Sequence, residues 1–465
     1  MLNREINTCL KHFTILSIVS LLILSAFTVP ANAEVKSDSL GLEECLELGI
    51  ERNLNLKRLS LEKSLDVPSV LSGIGLFLPN LTVGYSIDQS STHNRTYINP
   101  DGTVTILPAE VEGRLMDATK TERRGSQYSV RSELVLYDGL RNIMTFQNAL
   151  LTRNIRDTQI QNEITNLKLA ITTSFVNLTS AIKKKELSYE VIQQRTTQLE
   201  FAKARFDAGM VTKRDVLVAE VNLGRSRLDS INAEVELNRS RENLNLVLGV
   251  PIDTVLNVRR LHPEDFPEVD REDLLQFASL NRADLSLSEL NLKITSNNLR
   301  SAWGEFHPRL SANVTHFRNE QSGTNVDFTL DPRNHSTTVG LTLSYPLFDR
   351  FTRVLKTQDA KVKYNQGLIS AEELKRNIKR EVLVAIDKIQ ALYLQLDLAR
   401  KNLELANDIL EFEQERYRIG TISIIDLGSA QVNYIEAANE FIRLEGLYFI
   451  VLSELDRAVG GSHWR

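Results

Sequence analysis

Two periodicities run through this chain. Leu81, Val83, Tyr85 and Ile87 alternate with Thr82, Gly84, Ser86 and Asp88. Thr337, Val339, Leu341, Leu343 and Tyr345 alternate in the same way with Ser336, Thr338, Gly340, Thr342 and Ser344. Tyr128–Tyr137 and Leu310–Phe317 alternate less cleanly. A period of two with a polar second face predicts strands. Each of these four segments is roughly ten residues long, the length that crosses a bilayer when tilted.

The other periodicity is helical. Ala385, Ile389, Leu392, Leu396, Ala399, Leu403, Ala406 and Leu410 are spaced alternately four and three apart, which is a coiled-coil seam. It lies in a helix predicted from about Phe351 to Tyr417. At ~1.5 Å per residue such a helix is about 100 Å long. An equivalent helix is predicted from Leu140 to Phe206, with Lys185 and Arg195 on the matching stripe. Returning helices are predicted over Thr212–Leu248 and Ser423–Val459. Shorter amphipathic helices are predicted over Leu42–Leu71 and Glu272–Trp303. Proline is absent between Ala109 and Val250 and after Pro346, as long helices require, since an interior proline breaks them.

The elements come in two copies. Leu199-Glu200-Phe201, Arg205-Phe206 and Gly209 return as Leu410-Glu411-Phe412, Arg416-Tyr417 and Gly420, an offset of 211. That offset also carries Asp138 to Asp349, Thr212 to Ser423, Asp215 to Asp426 and Gly249 to Gly460. Upstream, Pro79-Asn80-Leu81 matches Pro308-Arg309-Leu310 at 229, and Asn53–Leu56 matches Arg282–Leu285. The offset falls from 229 to 211, so the first half holds 18 additional residues between about Ser86 and Ser132. Length variation confined to one place marks a surface loop. It is placed within about Gln89–Gly125, with Asn99-Pro100-Asp101-Gly102 as a tight turn. The expected organisation is a leader (1–33), a first repeat (34–250), a linker (251–270) and a second repeat (271–465).

Each long helix turns sharply into its return. Gly209 and Gly420 suit the left-handed position that ends a helix. Thr212-x-x-Asp215 and Ser423-x-x-Asp426 match the capping box that opens the next one. Both hairpins fall at the end of the helices remote from the strands. Asp215 and Asp426 read as helix caps or as charges on a pore. Arg205 and Arg416 either cap the last turn, where cations are favoured, or dock a partner. Lys183-Lys184-Lys185 reads as a solvated helix face.

Composition adds a compartment. Arg4 and Lys11 precede an apolar run from Phe13 to Val29, followed by Ala31-Asn32-Ala33. That is the pattern of a secretory signal peptide cleaved after Ala33. Cys9 leaves with it, and Cys45 is then alone, so no intramolecular disulfide forms. Without a cysteine at the cleavage point, no N-terminal lipid anchor is expected. The net charge of −5 gives no sign of nucleic-acid binding. No other run reaches the ~18 apolar residues of a membrane-spanning helix, so any membrane passage must use strands. Four strands in lipid would leave two unpaired edges, which hydrocarbon does not tolerate. About eight is the practical minimum for closure. Several chains are therefore needed to build one barrel.

The chain lacks GxSxG, HExxH, P-loop and CxxC patterns, and its histidines are scattered, so no catalytic, cofactor or metal residues are expected. The rival reading is a soluble periplasmic coiled-coil adaptor. The ordering of strands between helices, repeated twice, argues against it.

These features resemble the TolC family of outer membrane efflux proteins. The resemblance rests on the tandem halves, the Arg-[Phe/Tyr]-x-x-Gly-x-x-[Thr/Ser]-x-x-Asp hairpins, the Leu136-Tyr137-Asp138 segment and the Pro-x-Leu strand entries. It covers nearly the whole chain after the leader. It implies a mixed α and β fold: long helical hairpins and four transmembrane strands per chain, closing a 12-stranded barrel and a tapered periplasmic tube as a homotrimer. It also implies docking of a periplasmic membrane-fusion adaptor on the tips, at Arg205, Phe206, Gly209, Arg416, Tyr417 and Gly420. The adaptor would link to an inner-membrane pump, proton-driven or ABC type. Asp215 and Asp426 match acidic tip positions that close the family's tubes at rest. The next acidic position is Ser429 here, and the basic partner beyond the glycine is Ile422, so the resting gate is expected to differ.

Overall fold

The computed structural model describes residues 39–94, 96–98, 101, 104–106, 119–261, 270–322 and 335–461. The expected leader lies outside the described residues. A group of short helices opens each half. In the first they are α1 (Leu42–Arg52), α2 (Leu54–Lys63) and α3 (Asp66–Gly75). Strand β1 (Asn80–Asn94), a small hairpin of β2 (Thr96–Ile98) and β3 (Val104–Ile106), and β4 (Thr119–Tyr137) follow. The long α4 (Arg141–Asp207) and its return α5 (Lys213–Leu248) complete the half. The second half has α6 (Arg271–Asn281), α7 (Ala283–Gly304), β5 (Arg309–Ser322), β6 (His335–Ser344), α8 (Thr352–Ile419) and α9 (Ile424–Val459). Among the described residues no helix is long and apolar enough to cross a membrane.

Three expectations need correction. The opening helices are not continuous. Asn53 (φ −57°, ψ 127°) and Arg282 (φ −68°, ψ 123°) are single extended residues that end one helix and begin the next. They sit at matched repeat positions and do matched work. Asn53 Nδ2 donates to the Val247 carbonyl at 3.3 Å, and the Arg282 guanidinium donates to the Ala458 carbonyl at 3.0 Å. Each ties the break to the last turn of its own return helix. Asn53 also caps α2 by accepting from Asn55 and Leu56. A one-residue break with its own cap leaves apolar spacing almost intact, so periodicity ran straight through it.

The second correction concerns the additional residues of the first half. Strand pairing takes up both ends of the Gln89–Gly125 segment in which those residues are expected to form a surface loop. The β1–β4 ladder continues in register from Gln89↔Arg124 to Asn94↔Thr119. β1 and β4 are therefore 15 and 19 residues long, against 14 and 10 for β5 and β6. Ser90-Ser91-Thr92-His93 has no apolar alternation to betray a strand. The expected turn at Asn99-Pro100-Asp101-Gly102 falls between β2 and β3, and of its residues only Asp101 is described.

The four long strands form one antiparallel sheet in the order β1-β4-β5-β6. β1 and β6 are its edges. At the opposite end lie the helical tips, so α4, with 67 residues, and α8, with 68, run about 100 Å away from the sheet. Each long helix starts behind a large residue in the left-handed region, Leu140 (φ 68°) and Phe351 (φ 62°). Asp138 and Asp349 then cap the first turns through Asn142 and Arg353.

Three apolar clusters hold the helices together. The first-half cluster centres on Ile171, Phe175, Leu244 and Leu248 against α1. Its second-half counterpart contains Ile386, Ile389, Leu392 and Leu396 against α9. On the heptad seam, Ala385, Ile389, Leu392, Leu396, Ala399 and Leu410 are buried, and Leu403 and Ala406 half-buried. The third cluster lies at the tips. The lysine run is not a free solvated face. Lys183 pairs with the buried Glu445 of α9, Lys185 with Glu234 of α5, and the neighbouring Glu186 with Arg260 at 2.6 Å. Charges on one turn of α4 thus fasten three other segments to it.

Candidate functional site at the helical tips

Both tips close by the same local chemistry. In the first, Gly209 adopts φ +72° and Met210 N donates to the Arg205 carbonyl at 2.8 Å. In the second, Gly420 adopts φ +85° and Thr421 N donates to the Arg416 carbonyl at 2.9 Å. These are left-handed helix ends that satisfy otherwise orphaned carbonyls. The capping boxes follow. Thr212 N and Oγ1 donate to Asp215 Oδ2 at 2.9 and 2.8 Å. Ser423 N and Oγ donate to Asp426 Oδ2 at 3.1 and 2.8 Å, and Asp426 N donates back to Ser423 Oγ at 3.2 Å. The side-chain hydrogen bonds from Thr212 and Ser423, then those from their backbone amides, hold both carboxyls below the usual aspartate range.

Beyond the turns, the tips diverge. Tyr417 is only 6% exposed, whereas its counterpart Phe206 is 42% exposed. Tyr417 joins Ala202 and Ala219 of the first hairpin with Leu410, Ile424, Leu427 and Ala430 of the second in one core. Burial raises the Tyr417 hydroxyl above its ordinary pKa.

The matched arginines diverge as well. The Arg205 guanidinium lies 5.5 Å from the Phe201 ring centroid and 5.4 Å from that of Tyr417. It also donates to the Arg418 carbonyl at 3.3 Å. It therefore clamps the first hairpin onto the second. Arg416 stays on its own helix, bonded to Glu413 at 3.0 Å and placed over the Phe412 ring. A methyl group on Gly420 would come within 2.8 Å of Arg205 Nη2, while one on Gly209 would meet nothing within 4 Å. Arg418, which sequence reasoning passed over, pairs with Glu415 at 2.5 Å and keeps that carboxyl below its normal range. Ser429 bonds back to its own helix at the Ile425 carbonyl, and Ile422 packs against the tip core.

A cleft of about 280 Å³ opens between the hairpins just above this core. Gln194, Gln198 and Phe201 of α4 face Gln414 and Tyr417 of α8, with Leu427 of α9 among the lining residues. Amide groups and aromatic rings line it together. Among the described residues no group of three His, Cys, Asp or Glu side chains is placed to hold a metal.

Comparison with known proteins bears on the whole architecture. The chain is 22% identical over 265 residues to outer membrane protein TolC of Vibrio cholerae, an alignment covering 57% of this chain and 60% of that protein. It is 22% identical over 320 residues to TolC of Escherichia coli, covering 66% of this chain and 64% of that protein. In both cases the match spans less than two thirds of the relative's length. In structure it resembles the CmeC outer membrane channel of Campylobacter jejuni with a TM-score of 0.76 at 16% identity, covering 94% of this chain and 90% of that one. The sequence signature of the outer membrane efflux proteins matches residues 75–250 and 274–461, most of each half. The chain belongs to the outer membrane efflux protein family.

Proposed function

We propose that three copies of this chain close a 12-stranded barrel and a helical tube, forming the exit duct of a tripartite efflux or type I secretion system. The observation that carries this reading is a four-stranded sheet with two open edges and one face that is apolar along both edge strands. Leu81, Val83, Tyr85 and Ile87 on β1 and Val339, Leu341 and Leu343 on β6 are all exposed in the single chain. Water would penalise that face, and lipid would penalise the edges. Closure of several sheets into one barrel removes the edges, and seating that barrel in lipid removes the cost of the apolar face.

The helices support the same assembly. On α5, Leu217, Val221, Leu228, Ile231 and Val235 are exposed and, with Gly224, spaced alternately four and three. This is a second coiled-coil seam with nothing packed on it within the chain, and it suits a neighbouring copy. The organisation proposed is a cleaved leader (1–33), two repeats (34–250 and 271–465) and a linker (251–270). The duct is not an enzyme. Its tube lies in the periplasm, and the tips receive cargo from a membrane-fusion adaptor and an inner-membrane pump. The docking surface proposed for the adaptor is the inter-hairpin cleft, which Tyr417 lines, together with Arg205, Phe206, Gly209, Arg416 and Gly420 at the two tips.

The protein should fractionate with the outer membrane and migrate as a trimer until heated. A folded, detergent-solubilised monomer would overturn the reading. An epitope inserted at Asp101 should be stained on intact cells. Staining only after permeabilisation would reverse the proposed topology.

A further inference from the structure

Alternation along the paired strands sorts side chains onto two faces of the sheet. The apolar face carries Leu81, Val83, Tyr85 and Ile87 on β1 and Val339, Leu341 and Leu343 on β6, so in the barrel proposed above the opposite face lines the lumen. Register carries one row across that face: Thr82 pairs with Arg131, Arg131 with Thr315, and Thr315 with Thr338. Three threonines thus flank a single arginine. Arg131 is exposed, and among the described residues no carboxylate pairs with it. The neighbouring row contains Glu133, which is already engaged by Arg309 of β5 at 3.1 Å. That belt therefore carries one uncompensated positive charge per chain. Beyond it on the same face Ser90 pairs with Arg123, and the nearer charged position is Asp88, opposite Gly125. It is six positions along β1 from Thr82, or about 20 Å. At 0.1 M salt the screening length is ~10 Å, so the two levels act separately.

We propose that Arg131 forms a ring of three positive charges in the barrel lumen that makes this section of the duct favour anionic over cationic solutes. The inference rests on the barrel reading. A guanidinium stays charged at any physiological pH, so the preference is independent of pH across the neutral range. Its field reaches well into the lumen at low ionic strength and fades in concentrated salt.

The test is the reversal potential of the purified full-length protein in planar bilayers under a KCl gradient, with the dilute side near 0.1 M. Arg131→Glu should lower the chloride-to-potassium permeability ratio about three-fold or more, and Arg131→Gln by an intermediate amount. Asp88→Asn should leave the ratio unchanged or raise it. The glutamine variant keeps the side-chain length and carries the test if the glutamate variant assembles poorly. An unchanged reversal potential in the assembled Arg131 variants would overturn the assignment. Failure of the unsubstituted protein to form channels would overturn the barrel reading, and this assignment with it.

Discussion

The two hairpin tips share one turn motif and have different surroundings. Each closes on a left-handed glycine and opens its return helix with a capping box. The second tip, however, is a structural centre, and the first is a surface. Tyr417 fills the shared core while Phe206 stays in solvent. Arg205 reaches across to the other hairpin while Arg416 stays on its own helix. Repetition of a motif thus specifies a turn. It does not specify what the turn packs against, because the two hairpins meet each other through non-equivalent faces.

Paired substitutions at matched positions can break this comparison. The largest difference is expected between Tyr417→Ala and Phe206→Ala. Emptying the buried ring site should cost about 3–5 kcal/mol, and truncating the exposed ring less than about 1 kcal/mol. Hydrogen exchange of the tip amides would report it; equal protection in the two variants would mean the shared core is not what holds the tips. Next come the glycines. A side chain in the left-handed conformation costs roughly 1–2 kcal/mol in Gly209→Leu. Gly420→Leu must also displace the Arg205 guanidinium, so it should lose more tip protection and more export. The barrel and upper tube should still assemble in both, as heat-sensitive trimers on gels. Normal export by Gly420→Leu would remove the docking role proposed for the tip.

The arginines should differ less. Arg205→Ala removes a stacked, inter-hairpin contact, at about 1–2 kcal/mol. Arg416→Ala removes a same-helix pair of the kind worth about 0–1 kcal/mol. Limited proteolysis at the tips would rank them, and the reverse ranking would contradict the clamp. The smallest effect is acid sensitivity. Asp215 and Asp426 are both held below their ordinary pKa by hydrogen bonds. The lowered folded value means that their stabilisation is complete above the unfolded carboxylate range. It is lost only as pH falls through the folded values. The tips should therefore loosen only in strongly acidic solution, and loosening near neutral pH would point to another group. Asp426→Asn keeps a capping acceptor and removes the charge, so altered single-channel conductance would identify Asp426 as a pore charge. Unchanged conductance would leave it a helix cap alone.

What the sequence settled by itself is what short-range chemistry decides. Glycine, proline and capping residues placed the tips within a residue or two, the heptad seam located the long helices, and alternation found the four strands. The repeat offsets also aligned Asn53 with Arg282. Their meaning as helix breaks was invisible, because the bonds that stabilise them come from Val247 and Ala458, some two hundred residues away in the chain. The polar extension of the β1–β4 ladder was equally hidden, since its pairing depends on register set elsewhere in the sheet. The lysine run looked like solvent-facing charge until Glu445 and Glu234 were brought beside it. Which of two matched residues becomes core, clamp or surface was likewise decided only in the folded molecule. Local sequence sets backbone conformation, but burial and partner choice depend on which distant face packs opposite, and a repeated sequence cannot encode two different neighbours in the same residues.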